Sequence, residues 1–578
     1  MIRRLFLHPA EVIVLLFAIY LMLFRDLSSP WERAIESDGK GYYAYLTSTF
    51  IYHDHHYGFI NDYESKYYPP DGSRYFDFRN DVEGGGKVNQ YFPGVALLWL
   101  PFFLLAHFLS YLFGFETDGY SIIYQWSIVA AILFYLWLGL KSTHKLLLKI
   151  TAPLPAASLL FALGFGTLLF CYTIYAPAFT HTYSFALIAA LVYVSWNLFE
   201  AYSRKRVLLT VFLLCLIALV RPSNAVVILL LPFAAGSWSA LRNFFITLSR
   251  DVKTILFSFL IVIILFSIPI WLWHEQTGHY IVYSYGPHKF HFSDPELFNN
   301  LFSYRKGLFL YTPLALVGLF GLIPLYKQNK WRFVFLSLFL LTAAYIISSW
   351  SWWWYGSSLG QRSYIDYYVV LALLLAWLYN AIRDKIFLKI IFFLLVPFFI
   401  LLNIVNTYQH IYGINPSDDI TKEIYWSNFL KIKRDFTARA PIDESTMQRK
   451  AIFYARMDPP SKISKEGAYG AVMEKRIAAY LSDSNMVLRI KASFYTEEDL
   501  ENTVIVASFQ TGEKSYSYHS WKVENFVKEG EWTYVEFSVE CPKAQTADDT
   551  LNVYFWNGDS DEELVVDLLT IELFAPRK

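Results

Sequence analysis

Residues 206–236 read RVLLTVFLLCLIALV-RPSN-AVVILLLPFAAG, two apolar runs on either side of Arg221-Pro222-Ser223-Asn224. As one helix the stretch crosses a membrane once; as two short helices broken at the arginine it crosses twice. That choice sets the side on which every later loop falls. A second choice concerns 92–113 (FPGVALLWLPFFLLAHFLSYLF), apolar enough to span but carrying Pro101 and His107. Spanning takes roughly 20 apolar residues. Further apolar runs lie at about 9–24, 121–140, 152–172, 178–199, 254–273, 308–325, 333–349, 364–379 and 386–405.

The excess of Lys and Arg in cytoplasmic loops arbitrates. With 92–113 laid along the outer surface and 206–236 crossing twice, the inside segments are the N-terminus, 141–151, 200–206, 237–253, 326–332 and 380–385. These hold clusters such as Arg3-Arg4, Arg204-Lys205-Arg206 and Lys327, Lys330 and Arg332, against Glu200, Asp251 and Asp384 as their only acids. Changing either choice alone puts several basic loops outside. The sequence therefore predicts eleven spans, with the N-terminus inside, the C-terminus outside, and 9–24 retained as the first helix. Outside then lie the long loop of about 25–120, the Arg221 break, the loops 274–307 and 350–363, and everything after 406.

Composition agrees. Of 578 residues, 55% are hydrophobic and 17% charged, which suits a polytopic membrane protein with room for one soluble domain. The formal net charge is zero, so no basic footprint points to nucleic acid. Cys171, Cys215 and Cys541 are too scattered for a disulfide framework or a zinc site.

After about Asn406 the long apolar runs stop. Residues 406–464 read as a connector. From 465 to 578 the pattern alternates with period two, as in 487–494 (VLRIKASF), 532–539 (WTYVEFSV) and 551–556 (LNVYFW). Short strands with turns such as Asn557-Gly558 predict an antiparallel β-sandwich. Its ending resembles jelly-roll carbohydrate-binding modules, which implies sugar binding; a packing or partner-docking role is the alternative.

The outer loop opens with Glu36-Ser37-Asp38-Gly39-Lys40-Gly41-Tyr42-Tyr43-Ala44-Tyr45. Carboxylates beside a membrane are costly unless they bind or react. Asp38 either starts a surface helix as a cap or does chemistry, with Glu36 as its support, and a loop this long is usually functional or disordered. Arg221, a cation between two short runs, needs a partner or a wet cavity, unless it snorkels to the interface. Arg305-Lys306 and Arg362, the latter ending the aromatic loop 350–362 (WSWWWYGSSLGQR), place cations at outer helix starts. Arginine suits bidentate phosphate contacts, while the tryptophans also fit an interfacial belt. His53-Asp54-His55-His56 looks like metal-ligand material, though neighbouring residues rarely converge on one ion. His181 sits at an outer helix start, as a ligand or as a satisfied polar residue. No nucleophile elbow, phosphate-binding glycine loop or HExxH motif occurs in the sequence.

Together, one span followed by a long outer loop with an acid and tyrosines, Tyr91-Phe92-Pro93-Gly94, Arg221-Pro222-Ser223, 301–308 (LFSYRKGL) and 353–362 (WWYGSSLGQR) resemble the GT-C glycosyltransferases. The likeness covers about 1–405. It is to bacterial relatives of protein O-mannosyltransferases and of the lipid A aminoarabinose transferase. The resemblance implies a GT-C-like membrane domain at 1–405, in a bacterial inner membrane, with the active site and sandwich on the periplasmic side. It implies inverting transfer of a sugar from a polyprenyl-phosphate carrier to a glycan, lipid or protein acceptor. By the same carry-over Asp38 is the base, Arg221, Arg305 and Arg362 are phosphate ligands, and Tyr42 and Tyr43 shape the sugar pocket; Lys306, Lys87 and His181 are further candidates for binding substrate or phosphate. The lipid A transferase pattern has Lys directly before the proline that opens the surface helix. Here Phe92 stands there, and the nearest lysine is Lys87. An Asp-x-Asp metal signature is lacking in the loop, so no metal or other cofactor is expected. An oligosaccharyltransferase or ligase using a diphosphate-linked donor is the alternative enzyme. A lipid or sugar transporter is the alternative outside catalysis.

Overall fold

The computed structural model describes the chain except for residues 1–7, 30–31, 69–74, 83–85, 413, 416–417, 419, 433–446, 465–468, 479–485, 498–499, 501–502, 513, 524–525, 527–529, 558–562 and 577–578. Arg3, Arg4, Gly558 and the middle of the 406–464 stretch thus lie outside the described residues. The chain forms two compact units, Met1–Ile411 with Ser417–Asp419, and Tyr412–Pro416 with Ile420–Lys578.

The first unit is helical. Among the described residues seven helices are long and apolar enough to cross a membrane: Gly94–Phe113, Ile122–Leu147, Thr180–Glu200, Val252–Thr277, Lys330–Ser348, Arg362–Ile382 and Ile386–Ile411. A pair bent by 107°, Pro222–Ala235 and Trp238–Ser249, passes the same test when joined. Pro9–Phe24, Pro153–Phe165 and Pro313–Gln328 are shorter apolar helices. The chain is a membrane protein with a C-terminal sheet region. The expected eleven runs all carry helix, but several are short or broken. Pro222 starts a 3-10 turn over Pro222–Leu229, and Thr312-Pro313 interrupts the run that begins at Leu308. Residues 94–113 form one helix with Pro101 inside it, not an interrupted segment.

Local chemistry explains where helices stop and start. Asp251 caps Val252–Thr277 by accepting from the Thr254 amide, and Gly278 ends it at φ 75°. The helix Thr180–Glu200 is the hub, packed against Ile122–Leu147, Arg204–Val220 and the 3-10 turn Arg362–Tyr367. Gly139 permits the tight crossing on Ile122–Leu147, since a Cβ there would lie 2.6 Å from the Phe185 ring. A Cβ on Gly94 would lie 2.3 Å from the Leu219 carbonyl carbon, so the start of Gly94–Phe113 rests on the end of Arg204–Val220. Three site-bearing segments thereby meet at the N-terminal end of the hub.

In the first unit β1 (Arg79–Asp81) and β2 (Lys87–Asn89) form a small antiparallel ribbon. The second unit holds β3 (Met447–Ile463), β4 (Tyr469–Arg476), β5 (Val487–Tyr495), β6 (Val504–Thr511), β7 (Lys514–Lys522), β8 (Thr533–Glu540), β9 (Thr550–Trp556) and β10 (Leu564–Pro576). They make two four-stranded antiparallel sheets, ordered β3-β10-β5-β8 and β4-β9-β6-β7. Alternate residues form one apolar core, including Leu488, Ile490 and Phe494 from one sheet and Ile505, Phe509 and Val553 from the other. β3 lies wholly within the stretch read as connector, where Met447 to Ile463 pairs along nearly all of β10.

Candidate functional site

Asp38 is the first residue of the helix Asp38–Thr47. The preceding Ser37 has φ 48° and ψ −128° and makes no side-chain cap, so the acid is placed by a strained turn rather than by capping. A carboxylate at a helix start is favoured by the helix dipole. Its Oδ1 accepts from the Tyr91 hydroxyl at 2.9 Å, and its Oδ2 accepts from Arg362 Nη2 at 3.2 Å. The Asp38 side chain keeps 23% of its surface exposed, against 11% for Arg362. The glycines of the motif allow this approach. A Cβ on Gly41 would lie 2.4 Å from the Tyr91 ring, and one on Gly39 2.3 Å from Ala178 Cβ. Arg362 lies over the Phe179 ring at 4.6 Å, and its Nε is buried without a hydrogen-bond partner.

A second cluster adjoins the first through the chain step from Arg362 to Ser363. Arg221 Nη2 donates to Ser363 Oγ at 3.4 Å, and its Nη1 lies 3.3 Å from Asp366 Oδ2. Asp366 is wholly buried. It also accepts from Asn224 Nδ2 at 2.7 Å, and its Oδ1 lies 2.8 Å from His181 Nδ1. Arg221 Nη1 stands 3.1 Å from the same nitrogen. A guanidinium only donates, so one proton arrangement must be assigned. We place the proton on Nδ1, serving the carboxylate at the shorter distance, with Arg221 directed to Asp366. Asn224 is fixed in turn by the Tyr367 hydroxyl at 2.7 Å.

Tyr42 links the clusters. Burial pushes its phenol well above the ordinary value; the charges of Tyr285 and Asp38 add to the rise, and Arg221 and Arg362 oppose it. Its ring lies 4.4 Å from that of Tyr91, which meets Tyr285, which meets Trp350 of the aromatic loop. An aromatic wall therefore runs from the acid to the loop.

The remaining expected site residues are placed differently. Tyr43 is fully buried among Trp99, Phe103 and Tyr120, with its hydroxyl donating to the Gly119 carbonyl at 2.7 Å. It is core, because successive helix residues face apart. Lys306 is also fully buried, and its ammonium donates to the Ser358 carbonyl. Arg305 lies over Trp354 at 4.2 Å and pairs with Asp418 at 3.1 Å. Both hold the aromatic loop in place. Lys87 is exposed on the ribbon, 3.9 Å from Asp81. Among the described residues no hydrogen bond or ion pair joins any of these three cations to Asp38. His53–His56 is a turn in which the Asp54 carboxylate accepts from the His56 and Gly58 amides. Among the described residues no three His, Cys, Asp or Glu side chains gather as a metal-ligating group.

Sequence reasoning missed Asp366, Asn224 and the hydroxyl of Tyr91. The signal for Asp366 was present: an acid in Arg362-Ser363-Tyr364-Ile365-Asp366-Tyr367-Tyr368, running into an apolar span. Chemically, the arrangement offers one partly exposed carboxylate paired with the Arg362 guanidinium, and beside it a second guanidinium, Arg221, backed by a buried carboxylate, imidazole and amide. Comparison with protein-family models, curated proteins and solved structures finds no match to this chain.

Proposed function

We propose that the chain is an inverting glycosyltransferase of the GT-C kind that takes a sugar from a polyprenyl-phosphate carrier. In this reading it crosses a bacterial inner membrane eleven times, with Asp38 and the jelly-roll-like sandwich on the periplasmic side. The acceptor hydroxyl loses its proton to Asp38 as its oxygen bonds to the anomeric carbon. The bond from that carbon to the carrier phosphate breaks, and the electron pair leaves as polyprenyl phosphate. Arg221 and Arg362 meet the charge that grows on the departing oxygen. Total charge in the site is constant through the step, since Asp38 is neutralised as the phosphodiester becomes a monoester dianion. The aromatic wall of Tyr42, Tyr91 and Tyr285 supplies flat faces for a sugar ring.

The observation that carries the reading is the partly exposed Asp38 carboxylate, held by Tyr91 and Arg362 with Arg221 beside Ser363. A base and two phosphate-type cations within one small region are what this displacement requires. The test is incubation of the full chain, reconstituted in vesicles, with polyprenyl-phosphate or polyprenyl-diphosphate sugars. Release of polyprenyl phosphate with transfer from the monophosphate donor, lost in Asp38→Asn, is the expected result. Turnover of the diphosphate donor alone would replace this reading with the oligosaccharyltransferase or ligase one. Sugar or lipid movement across the vesicle without bond cleavage would replace it with the transporter one.

A further inference from the structure

At the far end of Arg362–Ile382 from the site, a cavity of about 280 Å³ opens among Lys149, Thr151, Ala152, Pro155, Asn380 and Arg383. The intervening 21 residues put it roughly 30 Å from Arg362, at the opposite end of the helical unit. Pro155 and Tyr379 are shared with a second, apolar groove of about 400 Å³, lined also by Ser158, Leu159, Phe392, Val396 and Ile400. The polar cavity and the apolar groove are therefore adjacent, meeting at Pro155 and Tyr379.

The polar end has a fixed wall. Thr151 Oγ1 donates to Asn380 Oδ1 at 2.9 Å, and Asn380 Nδ2 donates to the Ile150 carbonyl at 2.6 Å. These bonds hold the turn before Pro153–Phe165 against the end of Arg362–Ile382. The 13-residue helix Pro153–Phe165 starts at this cavity with no side-chain cap, and with prolines at 153 and 155 its first turn leaves the Leu154 amide as its donor. Lys149 and Arg383 add full charges. Each touches an exposed acid, Glu200 at 2.8 Å and Asp384 at 3.3 Å. Surface pairs of that kind hold weakly and exchange readily for another anion.

We propose that this cavity and groove bind one anionic glycerophospholipid. Its headgroup phosphate lies against Lys149 and Arg383, and one acyl chain fills the groove along Pro153–Phe165 and Ile386–Ile411. An ordinary lipid-facing surface is satisfied by any acyl chain. A polar cavity joined to the groove selects the headgroup as well.

The experiment is native mass spectrometry of the full chain with added dioleoylphosphatidylglycerol or dioleoylphosphatidylcholine. The tightest site is expected to prefer phosphatidylglycerol by about thirty-fold, the worth of two cations beside a headgroup. The double variant K149Q/R383Q should lose most of that preference, whereas K205Q/R250Q, with basic residues outside the cavity, should keep it. Ser158→Trp, an exposed change that fills the groove, should weaken binding of both lipids at this site with the headgroup cations intact. Equal binding of the two lipids by the wild-type chain would overturn the proposal. So would retention of the preference by K149Q/R383Q, its equal loss in K205Q/R250Q, or wild-type binding by Ser158→Trp.

Discussion

Arg362 Nη2 donates to Asp38 Oδ2 at 3.2 Å, joining residues 324 positions apart in sequence. On the proposed mechanism the guanidinium orients the carboxylate before the donor binds and turns to the donor phosphate when it arrives. Tyr91 holds the other carboxylate oxygen, so Asp38 keeps its position through the exchange. Asp38→Asn keeps the shape and one accepting oxygen but cannot take a proton. Transfer is expected to fall by about 10²–10⁴-fold, with the thermal unfolding of the protein unchanged. Tyr91→Phe removes a hydrogen bond to a carboxylate, worth about 1.5–3 kcal/mol, and should cost about ten- to a hundredfold. Sugar release from a polyprenyl-phosphate donor measures both, and unimpaired turnover by Asp38→Asn would remove the assigned base.

Asp366 carries a different prediction, about stability. It is wholly buried and neutralises Arg221 while meeting His181 and Asn224. Asp366→Ala leaves a cation and two polar groups facing an apolar gap. Removing one member of a buried pair typically costs about 3–5 kcal/mol. The double variant Asp366→Leu with Arg221→Met should recover much of that loss while remaining inactive. Thermal unfolding in detergent separates the two variants. If the double change is as unstable as the single one, the pair is not the reason the carboxylate is needed.

The charged side chains of the site are partly legible in the sequence because a charge next to an apolar run has few cheap places to go. That logic finds Asp38, Arg221 and Arg362, and the structure brings them into one region. The same logic assigns Lys306 to the site and is misled, since an ammonium is equally satisfied by a loop carbonyl, here that of Ser358. Tyr42 and Tyr43 are adjacent, identical and both buried, yet one packs against Tyr91 beside Asp38 and the other among Trp99, Phe103 and Tyr120. Only the phase of the helix decides between them, and a strained Ser37 sets that phase. Partners of buried polar groups, such as Asn224 for Asp366, come from distant segments and leave no local pattern. For the sheets, period-two alternation marks the strands from 487 onward. β3 escapes notice because Asp458-Pro459-Pro460 breaks its pattern.

Gly41 tests whether packing alone can disable the site. A Cβ there would stand 2.4 Å from the Tyr91 ring and 2.9 Å from Phe78 Cβ. Gly41→Ala must push Tyr91 away from the helix and with it the hydroxyl that serves Asp38. Overpacking of this type costs about 1–3 kcal/mol, and transfer should drop although no charged or hydrogen-bonding group has been deleted. A second change, Tyr91→Phe, should add little further loss in the Gly41→Ala background. Fully additive losses would show that the glycine acts on something other than Tyr91.

In the sheet unit, Asp549 gives a pH dependence with a definite sign. Burial pushes its carboxyl up, but hydrogen bonds from Thr546, Thr511, the Gln545 amide and Tyr516 outweigh this and hold it well below the usual carboxylate range. Those donors tie the segment before β9 to the ends of β6 and β7. A carboxyl whose folded value is depressed stabilises the fold in full above its unfolded value, about pH 4, and loses that contribution as pH falls below it. Hydrogen exchange of β6 and β9 in the full chain should therefore accelerate as the medium is acidified from about pH 5 to about pH 3, beyond the intrinsic change in exchange chemistry. Asp549→Asn should exchange faster than wild type at neutral pH and show a shallower response to acid. A variant with the wild-type acid response would assign the sensitivity to another carboxylate, Glu572 first, since it is buried and bonded to Arg489 and Lys491.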